Sequence, residues 1–297
     1  MPARTSTAQR DRPVLAHCGA YGFRLTGLGQ GALLLGEASP LWPELAIRAE
    51  SEAAAASRVV DGDDALVEYA DDSAVIHLLA GRIELNRSPL SAVLQLSRLP
   101  TLHELLHPYL GAIAAVAARW LGRDAVHAGA FIHEGAAWGV LGGRNSGKSS
   151  LLARLALDGI EVVADDVLVI DAGRALPAPR FIDLRADAAD RLGVGEQLGR
   201  VGARERWRMP LAAEVPIAPL RGWIRLGWGD EAELLSVPPA ERLLSLAPQL
   251  SVGAPPLDPA ALIELAALPM LEFRRPRDWE SLGESCRGLL HGLVSFG

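Results

Sequence analysis

Gly142-Gly143-Arg144-Asn145-Ser146-Gly147-Lys148-Ser149 matches the pattern G-x-x-x-x-G-K-[ST]. Each position has a physical reason. Glycines let backbone N–H groups turn inward and cradle phosphate oxygens. A helix following such a loop points its positive end at the anion. Lys148 reaches terminal phosphates, and the Ser149 hydroxyl suits Mg2+, a hard cation that shares oxygen ligands with phosphates. The expected nucleotide contacts are Gly142, Gly143, Arg144, Asn145, Ser146, Gly147, Lys148, Ser149 and Ser150. Lys148 is the sole lysine among 29 basic residues. Chance placement of these neighbours around a single lysine is on the order of one in a thousand. Arginine replaces lysine everywhere else, but a planar guanidinium does not fit where a compact ammonium sits beside phosphates.

An acidic pair, Asp165-Asp166, follows Lys148 by 17 residues. Adjacent strand residues point opposite ways, so both carboxylates reach one site only at a strand end. His127, 15 residues before Gly142, is a candidate partner for a carboxylate. Arg180, Arg185, Arg274 and Arg275 are candidate charge stabilisers, although each alone reads more readily as a surface or salt-bridge residue. His103 and His107 stand at i,i+4 without an H-E-x-x-H context and read as part of a surface helix. The seven tryptophans read as core.

The elements that must position these residues follow from periodicity. Residues 1–13 read as a flexible tail, and 14–121 as a strand-rich region ending in a helix. Segments 65–69, 74–79 and 82–86 alternate as strands, with turns at Gly62, Asp71-Asp72 and Gly81. Segment 89–96 reads as a short helix opened by Pro89. Thr101-Leu-His-Glu104 fits a capping box before a helix over 105–121, which Pro108 enters or divides and Gly122 ends. Strands are expected at 126–132 and 136–141, then the glycine loop and a helix over 149–157 closed by Gly159. Strands at 161–164 and 167–170 flank the acidic pair, giving a strand–loop–helix–strand unit of an α/β core. Beyond lie a strand at 222–228, helices at 239–250 and 259–268, a strand at 271–274, and a last helix over 279–293.

Composition removes several function classes. The chain has 297 residues, 49% of them hydrophobic, with a net charge of -7, so disorder over most of its length is excluded. An acidic protein repels a phosphate backbone, which argues against a nucleic-acid partner. No apolar run approaches the ~18 residues of a membrane span. Cys18 and Cys286 form neither metal spacing nor a disulfide framework. No membrane association and a cytoplasmic setting are the expectations. A single lysine allows no N-K-x-D base-reading sequence, which excludes a GTPase of that type. The absence of L-S-G-G-Q argues against an ABC ATPase.

Three features resemble the C-terminal domain of the HPr kinase/phosphorylase family: His127 opening a strand, the P-loop, and Gly159 with Val163-Ala-Asp-Asp166. Segments 179–185 and 273–278 are similar to parts of HPr-kinase-related proteins. The resemblance implies an α/β, HPr-kinase/carboxykinase-like P-loop core over 122–297, with the smaller strand-rich N-terminal region beside it. It implies an ATP- and Mg2+-dependent kinase acting on a serine or other hydroxyl of a peptide or small protein. Asp165 would be the catalytic base, Lys148 and His127 catalytic partners, and Ser149 with Asp166 the metal ligands. The family's assembly also implies a homo-oligomer. No counterpart of the family's E-V-R-G-x-G segment is present, which argues against HPr as acceptor and against the dephosphorylating reaction. The alternatives are a nucleotide-binding regulatory or interaction module without transfer, and a small-molecule kinase. A carboxykinase-like enzyme is less favoured, because no Mn2+ site is assignable.

Overall fold

A computed structural model describes residues 18–51, 66–202, 204–211, 214–251 and 258–296. The expected tail over 1–13 and the turn at Gly62 lie outside these residues. The first sheet has the order β3-β1-β2-β4-β8-β7-β6-β5. Its strands are β1 (Cys18–Ala20), β2 (Phe23–Thr26), β3 (Gly36–Glu37), β4 (Glu44–Ser51), β5 (Leu66–Tyr69), β6 (Ser73–Leu78), β7 (Gly81–Arg87) and β8 (Leu90–Leu96). β8 occupies the segment expected to be a helix. Its residues Ala92, Leu94 and Leu96 are buried in strict alternation and face the core. Pro89 stands before a strand here, not at the first turn of a helix.

The chain then enters α1 (Leu102–Glu104), a wide turn over Leu105–Tyr109, and α2 (Leu110–Trp120). The Thr101 hydroxyl accepts from the Glu104 backbone, and the Glu104 carboxylate accepts from the Thr101 backbone, so the expected capping box is present. The single helix expected over 105–121 is divided. His107 is extended, at φ -155 and ψ 123, because a residue before proline is driven out of the helical region. α2 is buried on nearly every side. Its Leu-Gly-Ala-Ile-Ala-Ala-Val-Ala-Ala run lets it lie against β7 of the first sheet and β9 of the second. A Cβ at Gly111 would come within 3.1 Å of Val167, so the close approach of α2 to the second sheet depends on that residue being small.

The second sheet holds β9 (Asp124–Val126), β10 (Gly129–His133) and β11 (Ala136–Leu141), followed by α3 (Lys148–Leu157), β12 (Val162–Ala164), β13 (Leu168–Asp171) and β14 (Arg174–Leu176). The strand expected over 126–132 is two strands that break at His127. A small third sheet is formed by β15 (Phe181–Leu184), β16 (Glu196–Val201) and β17 (Arg204–Pro210), with α4 (Ala186–Leu192) between the first two. β18 (Ala218–Trp228), β19 (Glu233–Ser236), α5 (Pro239–Leu246), α6 (Pro259–Ala267), β20 (Met270–Arg275) and α7 (Leu282–Val294) complete the chain. The helix expected to run to Leu250 gives way after Leu246 to a tighter turn over Ala247–Gln249.

Around the loop, the second sheet runs β12-β10-β11-β18-β20. β10 is antiparallel to both β11 and β12, so β11 and β12 point the same way. β18 and β20 are parallel to β11 and to each other. The carboxyl ends of four strands therefore meet at one edge. One sheet face packs Ala130, Ala137, Leu141 and Trp223 into a core shared with α2 and the first sheet. The opposite face packs Phe131, Trp138 and Val140 against α3 and α7. The fold is mixed α/β, and apolar residues from either side of position 121 share one core. No helix among the described residues is long and apolar enough to cross a membrane.

Arg98 donates to the Glu104 carboxylate at 2.8 Å, and only 4% of that side chain is exposed. The hydrogen bond from Arg98 holds Glu104 down at about 2, against an ordinary value of 4.5. Because the folded value is depressed, its stabilisation is present above about pH 4.5 and is lost as pH falls toward about 2. Urea unfolding of Glu104→Gln against wild type should show a deficit at pH 7 that shrinks through that window.

Candidate active site

The loop 142–147 joins β11 to α3 at the edge where the parallel strands end. Gly143, Arg144 and Asn145 form its exposed crest, whereas Gly142 and Lys148 are buried. Ser149 and Ser150 lie half-buried in the first turn of α3. Asn145 and Gly147 are left-handed, at φ 67 and φ 80, and that pair of positions turns the chain into the helix. Lys148 is 8% exposed, and its Nζ is enclosed without a hydrogen-bond partner. Burial pulls its pKa down, while Asp166 and Asp165 oppose that pull.

Asp165 and Asp166 follow the last residue of β12, the strand end that a shared site requires. Burial, then the neighbouring Asp166, pushes the Asp165 carboxyl up to about 7 against a hydrogen bond from Ser149 and the charge of Lys148. One Asp165 oxygen, Oδ1, is enclosed without a hydrogen-bond partner. Burial also pushes Asp166 up, but His107, His127, Lys148 and Arg206 outweigh it and hold the carboxyl below its ordinary value. The two neighbouring acids are thus biased toward different protonation states by their surroundings.

His127 stands at the break between β9 and β10, with Nδ1 3.5 Å from Asp166 Oδ1. Burial and then Lys148 lower its pKa, and Asp166 opposes them. His107 approaches the other oxygen, with Nδ1 3.7 Å from Asp166 Oδ2. The surface-helix reading of His103 and His107 is therefore corrected. Pro108 breaks the helix at His107 and turns its ring toward the acid pair. His103 Nδ1 lies 3.3 Å from Arg208 Nη1. Arg208 forks onto Asp183, its cross-strand neighbour, with both contacts at 2.7 Å. Its guanidinium also lies 3.7 Å over the Phe181 ring.

Two further groups escaped the sequence reading. Tyr21 and Gly22 form a two-residue turn between β1 and β2, both at positive φ. The buried Tyr21 ring stands near the acid pair, whose charges join burial in raising its phenol pKa. Arg206, on β17, is held down by burial and feels the charges of Asp183, Asp166 and Asp165. Neither carries a local motif.

The four candidate arginines separate. Arg275 is 2% exposed, and its Nη2 donates to the carbonyls of Ser146 and Gly147 at 3.2 and 3.3 Å. It braces the loop from β20. Arg180 is buried and donates to the Val162 carbonyl under β12. Arg185 is exposed at the start of α4, and Arg274 is exposed and paired with Glu272. Trp228 is 41% exposed beside the loop, so the reading of the tryptophans as core fails there.

The enclosed donor of Lys148, the hydroxyls of Ser146 and Ser149, and the unpartnered Oδ1 of Asp165 suit an anionic phosphate chain with a divalent cation. Among the described residues no cluster of three His, Cys, Asp or Glu side chains forms a metal site by itself. Among solved structures the chain is similar to the HPr(Ser) kinase/phosphatase from Coxiella burnetii, at 14% identity. The match covers 59% of this chain and 99% of that one, with a TM-score of 0.30. No protein-family model and no curated protein matches the chain.

The loop makes a sharp prediction. A Cβ at Gly147 would meet Arg275 Nη2 at 2.4 Å in a left-handed conformation, whereas one at Gly143 meets nothing within 4 Å. Gly147→Ala should destabilise the fold by about 2 kcal/mol or more, and Gly143→Ala by less than about 0.5 kcal/mol. Urea unfolding of the two variants checks this.

Proposed function

We propose that the chain is an ATP-dependent phosphotransferase that passes the γ-phosphoryl group to a hydroxyl, a serine on a peptide or small protein. The observation that carries this reading is the enclosed, unpartnered Lys148 ammonium, set in a glycine loop within the electrostatic reach of two carboxylates. A structural lysine would be paired or would reach water, because burying an isolated charge is costly.

Bound Mg-ATP would supply the transferable phosphoryl group and neutralise charge on its oxygens. The backbone from Gly142 to Ser150 and the Lys148 ammonium would hold the phosphates, and Ser149 with Asp166 would hold the cation. Asp165 would take the proton of the acceptor hydroxyl as that oxygen bonds to the γ-phosphorus and the bond to the β–γ bridging oxygen breaks, with ADP as the leaving group; burial pushes its carboxyl up to about 7, near the pH of that task. His127 and His107 hold Asp166 in place at its two oxygens, and Arg206 adds positive charge at the same edge. Residues 122–297 form the P-loop unit in this reading. The preceding region completes it with His107 and Tyr21, and the missing E-V-R-G-x-G segment favours an acceptor other than HPr.

Purified protein with Mg-[γ-32P]ATP and a peptide or protein fraction should label an acceptor. Lys148→Ala and Asp165→Asn should each reduce labelling about a hundredfold or more with the thermal transition retained. Undiminished labelling by Lys148→Ala would sink the proposal. ATP binding by wild type with no transfer to any acceptor would favour a nucleotide-sensing module instead.

A further inference from the structure

We propose that Trp228 is the stacking surface for the nucleobase, a purine, on the flank of the phosphate loop away from the acid pair. The inference rests on the phosphotransferase reading and adds a base subsite to it. Strand order gives the direction. β11 delivers the loop, and β12, two strands away on one side, delivers Asp165 and Asp166. β18 and β20 lie on the other side, parallel to β11. A nucleotide whose transferable end faces the acid pair must send its base out over β18 and β20.

Trp228 is what that path meets. β18 is paired with β11 up to Arg225 opposite Leu141 and continues three residues to Trp228, about 10 Å past the strand end that delivers the loop. The indole Cη2 would lie 3.1 Å from a Cβ on Gly147, so the ring abuts the loop itself. The Arg275 and Arg277 guanidinium groups lie 4.4 and 5.5 Å from the ring centroid. They add positive charge where a nucleotide's ribose and inner phosphate would pass. The ring nevertheless stays 41% exposed, whereas Trp223 on the same strand is buried. A tryptophan ring 41% exposed at the carboxyl ends of parallel strands, the edge where α/β sheets bind ligands, suits any flat base, and a purine has the largest face to stack.

The ring has a competing role, as a cover for Arg275 that merely steadies the loop. Calorimetric titration with Mg-ATP and with Mg-tripolyphosphate, which has the phosphate chain but no base, separates the two. Trp228→Leu keeps apolar bulk against Gly147 and removes the π-face, and Trp228→Phe keeps a smaller π-face. The expected result is that Trp228→Leu weakens Mg-ATP binding about tenfold. Tripolyphosphate binding should stay within about twofold, and Trp228→Phe should recover most of the ATP affinity. Equal weakening of both ligands by Trp228→Leu, or unchanged ATP affinity, overturns the base subsite while leaving the phosphate loop intact. Wild-type protein that binds neither ligand overturns the phosphate-loop reading and this inference with it, before any substitution is made.

Discussion

An ammonium group held out of water is the constraint around which the rest of the edge is arranged. Lys148 is buried at the start of α3, and its Nζ has no hydrogen-bond partner. Desolvation of such a charge would ordinarily drive its proton off. Asp165 and Asp166 oppose that loss by their charge, and they can do so because they follow β12 at the sheet edge where β11 delivers the loop. The carboxylates have the complementary problem. Their own burial favours the protonated forms, and the lysine and two histidines restrain it unequally, so Asp165 is raised and Asp166 is lowered.

That arrangement reaches across the chain. His107 and Tyr21 stand on elements formed before residue 121, and Arg206 stands on the small third sheet. α2 makes this convergence structural. Its small residues let it lie between two sheets with both sides buried, and the extended His107 just before it directs one ring at Asp166. A longer helix without Pro108 would have carried residue 107 around the helix axis with its neighbours. The break that interrupts the secondary structure is therefore the feature that brings the first part of the chain into the site.

Local structure was legible in the sequence, and convergence was not. The glycine loop between a strand and a helix, the capping box at Thr101 and the acid pair at a strand end each depend on residues within one or two elements, and spacing alone reports them. His107, Tyr21 and Arg206 come to the acid pair, and Trp228 to the loop, only through tertiary packing, and no local pattern marks them. Segment 89–96 was misread because proline opens helices often, while the alternation of Ala92, Leu94 and Leu96 carried the stronger signal. β17 was missed because Arg-Glu-Arg-Trp-Arg reads as a polar stretch. Its Arg208 is buried only because Asp183 stands opposite with a matching fork.

The use of Lys148 as sole lysine and Arg275 as its nearest basic support divides two tasks by geometry. Arg275 must hold the loop, and a planar fork suits adjacent carbonyls such as those of Ser146 and Gly147. It keeps its charge although burial lowers its pKa to about 10. The group inside the loop has the opposite requirement. In the phosphotransferase reading it shares its enclosed space with a phosphate chain, must turn its donors freely, and leaves the bracing to another residue. A guanidinium at 148 would be bulkier and would direct its fork in one plane only. The preference for arginine across the surface and the exception at 148 therefore follow from the same property of the guanidinium, which serves as a strut and fails as a point charge.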